Sequence, residues 1–286
     1  MGATDGDDIA RLREWVGKKE SRCDLVSAWP AAALAATLDR DDPAPAAGDA
    51  LPPGWHWLYF LETKRACELG SDGHARRGEF LPPVALPHRM WAGGRIEFRR
   101  ALRVGDAIRR DSEILSIEPK RGRSGSLLFV TVRHTVSAQG KLAVIEDHDI
   151  VYREAVEPRA AATRAQPAPA RAAWRRELVA NSVLLFRFSA LLFNAHRIHY
   201  DLDYCRAQGY PGLLVHGPLQ VILLLDLCRR HAARPVRRIE YRAVHPVFHH
   251  ERMALAGEPS ADGTRATLWT ENAAGTRAMV ATACFI

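Results

Sequence analysis

Apolar and polar residues alternate along several stretches of the chain, among them Leu127-Leu-Phe-Val-Thr-Val-Arg133 and Ala266-Thr-Leu-Trp-Thr270. A period of two places such stretches in antiparallel strands with one wet face. Lys120-Arg-Gly-Arg-Ser-Gly125 separates Ile114-Leu-Ser-Ile117 from Leu127-Leu-Phe-Val130, and Ala138-Gln-Gly-Lys141 follows the second of these runs. Both are polar and contain glycine, so both predict hairpin turns. Longer apolar segments predict a helix over Trp55–Leu69 and another over Leu219–His231. The second has Gly217 at its cap and Pro218 at the first helical position, where a missing N–H costs nothing.

The pattern occurs twice. Arg95-Ile-Glu-Phe-Arg99 returns as Arg238-Ile-Glu-Tyr-Arg242, 143 positions later (238 minus 95), half of a 286-residue chain. Each copy follows a helix candidate and precedes alternating runs, so the order predicts two α+β units produced by duplication. Between them, residues 155–175 are rich in Ala, Pro and Arg and show neither period, which predicts a linker. The division expected is 1–154, 155–175 and 176–286.

Charge narrows the partners only slightly. Forty Lys and Arg against 33 Asp and Glu give +7 at pH 7, which favours anionic ligands in general. The arginines are scattered and no nucleic-acid-binding motif is present, so a nucleic-acid partner is not expected. Five cysteines form no CxxC pair, the N-terminus has no apolar signal region, and the run around Val221–Leu225 is interrupted by Asp226. These features predict a reduced, cytoplasmic protein without a membrane span.

Two segments concentrate chemistry. Phe193-Asn-Ala-His-Arg-Ile-His-Tyr-Asp201 carries two histidines three apart, and Gly209-Tyr-Pro-Gly-Leu-Leu-Val-His-Gly-Pro-Leu219 ends on a helix N-terminus at Gly217. The histidine pair could serve a metal, with Asp201, His245, His249 and His250 as further donors, but the spacing does not demand it. The expectation is no metal, with His245, His249 and His250 on a solvated strand edge. A histidine beside a glycine-capped helix also supplies a base and an oxyanion site for a carbonyl.

These two segments, with Leu86-Pro-His-Arg-Met-Trp-Ala-Gly-Gly94 and Lys120–Gly125 of the first half, resemble the MaoC-like double hot dog hydratases and dehydratases. The branch is that of mesaconyl-C4-CoA hydratase, itaconyl-CoA hydratase and the mitochondrial 3-hydroxyacyl-thioester dehydratase. The resemblance implies two tandem hot dog folds, each a long central helix wrapped by an antiparallel sheet. It implies reversible hydration of an enoyl-CoA to a 3-hydroxyacyl-CoA, with short branched dicarboxylic chains favoured over fatty acyl chains. No cofactor is implied beyond the coenzyme A of the substrate; a homo-oligomer is compatible with it.

Carried onto this chain, the family motif Asp-x-Asn-Pro-x-His puts His199 at its histidine and Asn194 at its aspartate, with His196 and Arg197 at the asparagine and proline positions. Asn194 can orient water but cannot take a proton. His199 then becomes the main base, assisted by a neighbour such as Asp201 or His196. The backbone N–H of Gly217 would hold the thioester oxygen. Arg197, Tyr210, His216, Met90 and Trp91 are the remaining substrate-binding candidates. Arg197 could instead form a salt bridge to Asp201 or Asp203, and Met90 and Trp91 could serve core packing. The Ala28–Leu38 segment of the first half offers neither His nor Asn, so that half is expected to complete the acyl pocket. A non-catalytic acyl-CoA-binding module is the reading from another class.

Overall fold

The two repeated strands pair with each other. In the computed structural model, which describes residues 6–122, 125–154 and 166–286, strand β2 (His88–Phe98) runs antiparallel to β7 (Val236–Ala243), with Ile96 opposite Ile239. These isoleucines hold equivalent places in the two copies, so a pseudo-twofold axis passes between them. Both are fully buried.

From this centre one ten-stranded antiparallel sheet extends in both directions. On one side lie β5 (Lys141–Arg153), β4 (Gly125–Ala138), β3 (Ala107–Gly122) and β1 (Lys19–Leu25); on the other β10 (Arg277–Phe285), β9 (Arg265–Glu271), β8 (Arg252–Pro259) and β6 (Trp174–Val179). The order reads the same from either end once each strand is matched to its repeat. This is the double hot dog anticipated from the sequence. The turn at residues 139–140 is the expected one: Gln139 and Gly140 both have positive φ, of 50° and 73°, as a two-residue hairpin requires. Of the Lys120–Gly125 turn, residues 123 and 124 lie outside the described residues, while Gly122 and Gly125 close the β3–β4 ladder.

The helices differ from expectation in the first half. A short α1 (Gly6–Arg13) precedes β1, and α2 (Ala28–Thr37) follows it; residues 55–69 form only two 3₁₀ turns, Trp55–Leu58 and Ala66–Glu68. Trp55, His56, Leu58, Tyr59 and Phe60 are all buried, which leaves no polar face to define a helix. Phe60 also adopts a left-handed φ of 59°, which an α-helix cannot contain. The turn is pressed against the second half: a β-carbon on Gly54 would stand 2.7 Å from Leu225 Cδ1.

In the second half α3 (Ser182–Leu191) takes the place of α2, and α4 (Leu202–Ala207) leads to α5 (Gly217–His231). Every residue from Leu219 to Cys228 is buried, so α5 is the central helix of the molecule. Its Asp226 accepts from Arg230 at 2.8 Å, from Arg176 at 3.2 Å and from Arg40 of the first half. Of the predicted linker, residues 155–165 lie outside the described residues. Pro167 bridges Thr276, and β6 begins at Trp174. Among the described residues no helix is long and apolar enough to cross a membrane.

Candidate active site

The C-terminal end of α3 brings the first group into place. Phe193 turns the chain with φ 48°, and Asn194 N–H closes onto Ser189 O at 2.8 Å. The Asn194 side-chain oxygen then accepts from His196 N–H at 3.0 Å, so Asn194 holds the following turn and keeps its amide donors for the cavity it lines. Next comes the 3₁₀ turn Arg197–His199.

His199 is buried, and its Nδ1 donates to Leu214 O at 2.8 Å. A carbonyl only accepts, so Nε2 carries the free lone pair. Burial pushes the imidazole down to about 4, against the opposing effect of the Leu214 bond. His216 stacks on it with centroids 3.6 Å apart, and Ser189 Oγ lies 2.8 Å from His216 Nε2. Burial likewise drives His216 far below the ordinary imidazole value. Neutral, aligned rings are therefore the resting state.

The Leu214 carbonyl is fixed from behind. Leu214 bridges Phe248, and His249 Nδ1 accepts from Leu213 N–H at 3.0 Å. His249 is thus a brace for the Leu213–Leu214 segment rather than part of a solvated edge. Beyond the loop, α5 starts at Gly217, where Trp91 of β2 lies against the backbone. A β-carbon on residue 217 would collide with Trp91 Cε3. Trp91 is held by Tyr241, stacked at 4.8 Å, and by the edge of Trp57 at 6.0 Å.

One large cavity of about 1210 Å³ joins these groups. His199, Asn194, Gly217, Tyr210, His216, Met90 and Trp91 all line it. Arg197 is a correction. Its guanidinium is held by Asp201 at 2.7 and 2.9 Å and by Ser71 O at 3.1 Å, and it covers the Tyr204 ring, so it takes the salt-bridge alternative and braces the turn instead of lining the cavity. Asp201 is spent in the same way, since its other oxygen caps α4 at Tyr204 N–H. It cannot assist His199.

Sequence reasoning missed two sets of residues. The first is the loop Gly70–Arg77. It is clamped to the histidine turn by Arg197 N–H on Asp72 O at 2.9 Å, and Gly73, with φ +88°, sits where a β-carbon would strike the Ala195 carbonyl. His74 Nδ1 meets Asp72 Oδ2 at 3.1 Å, while the His74 ring packs 3.9 Å from that of His196, itself 5.5 Å from His199. Burial would raise Asp72, but the bond and charge of His74 outweigh it and hold the carboxyl well below its usual range. Burial pushes His196 down to about 2 and His74 below its ordinary value, aided in both by the charge of Arg89. Ligand atoms of Asp72, His74 and His196 fall within 4.8 Å of one another. Asp72, however, is engaged by both Nδ1 and N–H of His74, which leaves fewer free donors than a zinc site uses. The Asp-Gly-His spacing between glycines was the available signal.

The second set is a polar band on the inner face of the first-half strands. Glu146 is buried, 3.0 Å from His56 Nε2 and 3.0 Å from Trp57 Nε1. Burial opposes its ionisation, yet the His56 bond prevails and holds it at about 2. His134 bonds Ser112 Oγ at 2.9 Å, whereas His148 Nε2 and Arg110 Nε are buried without a partner among the described residues. Arg89 of β2 also lines the cavity, and its charge helps to hold the Asp72 carboxyl down without a direct ion pair. The parity of Glu146 and His148 with inward-facing Val144 and Ile150 on β5 was the signal here.

A tandem hot dog in which a histidine turn packs beside a helix N-terminus on one large cavity is the architecture of a MaoC-like hydro-lyase. Residues 54–249 match the family described as hydroxyacyl-thioester dehydratase type 2, and the chain belongs to that family. It is 44% identical over 269 residues to mesaconyl-C(4)-CoA hydratase of Chloroflexus aurantiacus, covering 94% of this chain and 95% of the relative. Among solved structures, HtdX of Mycobacterium tuberculosis superposes with a TM-score of 0.65 at 18% identity, over 93% of this chain and 100% of that one. A second Mycobacterium tuberculosis protein, described as having a double hot dog fold, gives 0.58 at 15% identity over 97% and 98%. The protein is a hydro-lyase of the hydratase/dehydratase kind.

Proposed function

We propose that the protein hydrates an enoyl-CoA reversibly to the 3-hydroxyacyl-CoA, and that its preferred acyl group is short, branched and dicarboxylic, of the mesaconyl-C4 or itaconyl type. The observation that carries the dicarboxylic preference is Arg89, a guanidinium on the same cavity as His199 that makes no direct ion pair with a described carboxylate, although its charge reaches Asp72. A hydrocarbon chain would desolvate that charge without compensation, whereas a substrate carboxylate would pair with it bidentately. The named activity of the Chloroflexus aurantiacus relative points the same way.

In this reading the thioester oxygen lies at Gly217 N–H, where the positive end of α5 stabilises the enolate. A water between Nε2 of His199 and the Asn194 amide attacks C3; its proton leaves for an imidazole, and a proton is delivered to C2 as the enolate collapses. Tyr210, Met90, Trp91 and His216 shape the acyl space. The first half, residues 1–154, completes that space, and residues 176–286 carry the catalytic turn. The chemistry needs no cofactor besides the carrier. The test is loss of enoyl absorbance with mesaconyl-C4-CoA, itaconyl-CoA and crotonyl-CoA. A preference for crotonyl-CoA or longer acyl chains would overturn the dicarboxylic reading, and saturable binding without turnover would make the protein an acyl-CoA-binding module.

A further inference from the structure

The catalytic turn has an imidazole but no carboxylate behind it. Asp201 is occupied by Arg197 and the α4 cap, Asn194 carries no charge, and His199 Nδ1 rests on a neutral carbonyl. An imidazole that takes a proton in a buried site needs a negative partner to stabilise the cation it becomes. The first half supplies one such pair at the catalytic turn, on the loop Gly70–Arg77.

We infer that His74, oriented by Asp72, is a second catalytic histidine and the carrier of the transferred proton. Three observations support the assignment. Asp72 accepts from both Nδ1 and N–H of His74, at 3.1 and 3.0 Å, which fixes the tautomer and leaves Nε2 as acceptor. His74 lines the cavity shared with His199 and is in ring contact with His196. The loop cannot drift, because Ser71 O, Asp72 O and Gly73 are each locked onto residues 195–197.

The step balances with these groups alone. The water accepts orientation from His199 Nε2 through one O–H. Its other O–H breaks, the proton passing to His74 Nε2 while the oxygen lone pair forms the bond to C3. The C2–C3 π pair becomes the enolate held at Gly217 N–H. That pair then forms the C2–H bond with the proton returned from His74, and neutral imidazole is regenerated. Asp72 is a positioning residue: it stabilises the transient imidazolium, as a buried aspartate does in a hydrolase triad.

His74→Ala and the near-isosteric Asp72→Asn are the variants to make, assayed on mesaconyl-C4-CoA or crotonyl-CoA, whichever the parent turns over faster. The inference rests on the hydro-lyase reaction and not on the acyl chain, so a failure of the dicarboxylic preference leaves this test intact. Expected are a loss in kcat of about 10²-fold or more for His74→Ala with KM nearly unchanged, as for other positioned acid–base groups, and partial recovery on adding imidazole. Asp72→Asn is expected to lower kcat about tenfold or more, a loss of at least about 1.4 kcal/mol. Parental kcat in Asp72→Asn, or a His74→Ala defect that imidazole leaves untouched in a protein with parental near-UV circular dichroism, overturns the assignment. Loss of parental activity on chelation with recovery on adding zinc would also overturn it, in favour of a metal held by Asp72, His74 and His196.

Discussion

His199 Nδ1 donates to the carbonyl oxygen of Leu214 over 2.8 Å, and this bond decides which ring nitrogen faces the reaction. Nε2 is left as an acceptor, aimed into the cavity from a turn that Asn194 and Arg197 hold rigid. His199→Ala is expected to retain the fold and lose about 10²-fold in kcat, because the attacking water loses the Nε2 acceptor that orients it. Steady-state kinetics on the best enoyl-CoA, with circular dichroism as the control for folding, decides it. Parental kcat would remove His199 from the mechanism.

Burial sets the pH response. With His199 held at about 4 and His196 at about 2, and His74 and His216 also lowered, the imidazoles stay neutral well below the ordinary histidine value of about 6.5. The acid limb of kcat/KM should accordingly fall below pH 5 and not near 6.5. The same shifts act on stability. The unfolded chain binds these protons from about pH 6.5 downward while the folded one does not, so stability declines as the pH falls from about 6.5 toward the folded values. Rate and denaturation profiles between pH 4 and 8 measure both limbs. An acid limb centred near 6.5 would contradict the burial.

Trp91 and Gly217 form the contact through which the first half would shape the proposed oxyanion site. Gly217→Ala puts a methyl into the Trp91 ring, and because the ring is packed between Tyr241 and Trp57 the helix end has to move instead. The expectation is a kcat loss of about 10²- to 10³-fold, comparable to removing one oxyanion donor, with KM for the CoA ester little changed. A variant at parental kcat would exclude the Gly217 N–H as the oxyanion donor.

Much of this site was legible in the sequence. The strand repeat located the pseudo-axis because sequences matching at four of five positions meet at Ile96 and Ile239, and Gly217 declared itself through Pro218 and the apolar run that follows. What could not be read depended on contacts between the halves. The apolar composition of Trp55–Leu69 predicts a helix, but burial of its first residues on every side, against α5, replaces the helix by short 3₁₀ turns. Asp72 and His74 lie more than a hundred residues from the turn they adjoin, and only the fold brings them there. For Arg197 the sequence leaves substrate binding and a salt bridge to Asp201 or Asp203 both open, and the fold selects the pair with Asp201; nothing in the sequence sets Arg89 apart from the other arginines, and only the fold puts it on the cavity.

Arg89 makes the substrate preference separable from catalysis. Arg89→Met keeps the length of the stem and removes the charge, so crotonyl-CoA, with no second carboxylate, should be turned over within a few-fold of the parent rate. Mesaconyl-C4-CoA should lose about 10- to 100-fold in kcat/KM, or about 1.4 to 2.7 kcal/mol, at the low end for a charge pair because the site is partly open to solvent. Equal losses on both substrates would show that Arg89 serves the fold or the CoA moiety instead.

Asp226 tests whether the halves form one cooperative unit. It is a buried carboxylate on the central helix, and its three guanidinium partners come from α5 itself, from β6 and, in Arg40, from the first half. Asp226→Ala would leave those cations crowded at the end of α5 without their shared anion. Breaking one partner of a buried ion pair costs about 3 to 5 kcal/mol, and because Arg40 ties the first half to α5, the loss should appear in both halves at once. Chemical denaturation followed by fluorescence of Trp57, in the first half, and Trp269, in the second, each isolated by substitution of the other tryptophans, should shift by the same amount to lower denaturant. Unfolding that separates into two transitions, with the Trp57 signal unmoved, would show that the halves are stabilised independently and that the Arg40–Asp226 pair carries no coupling between them.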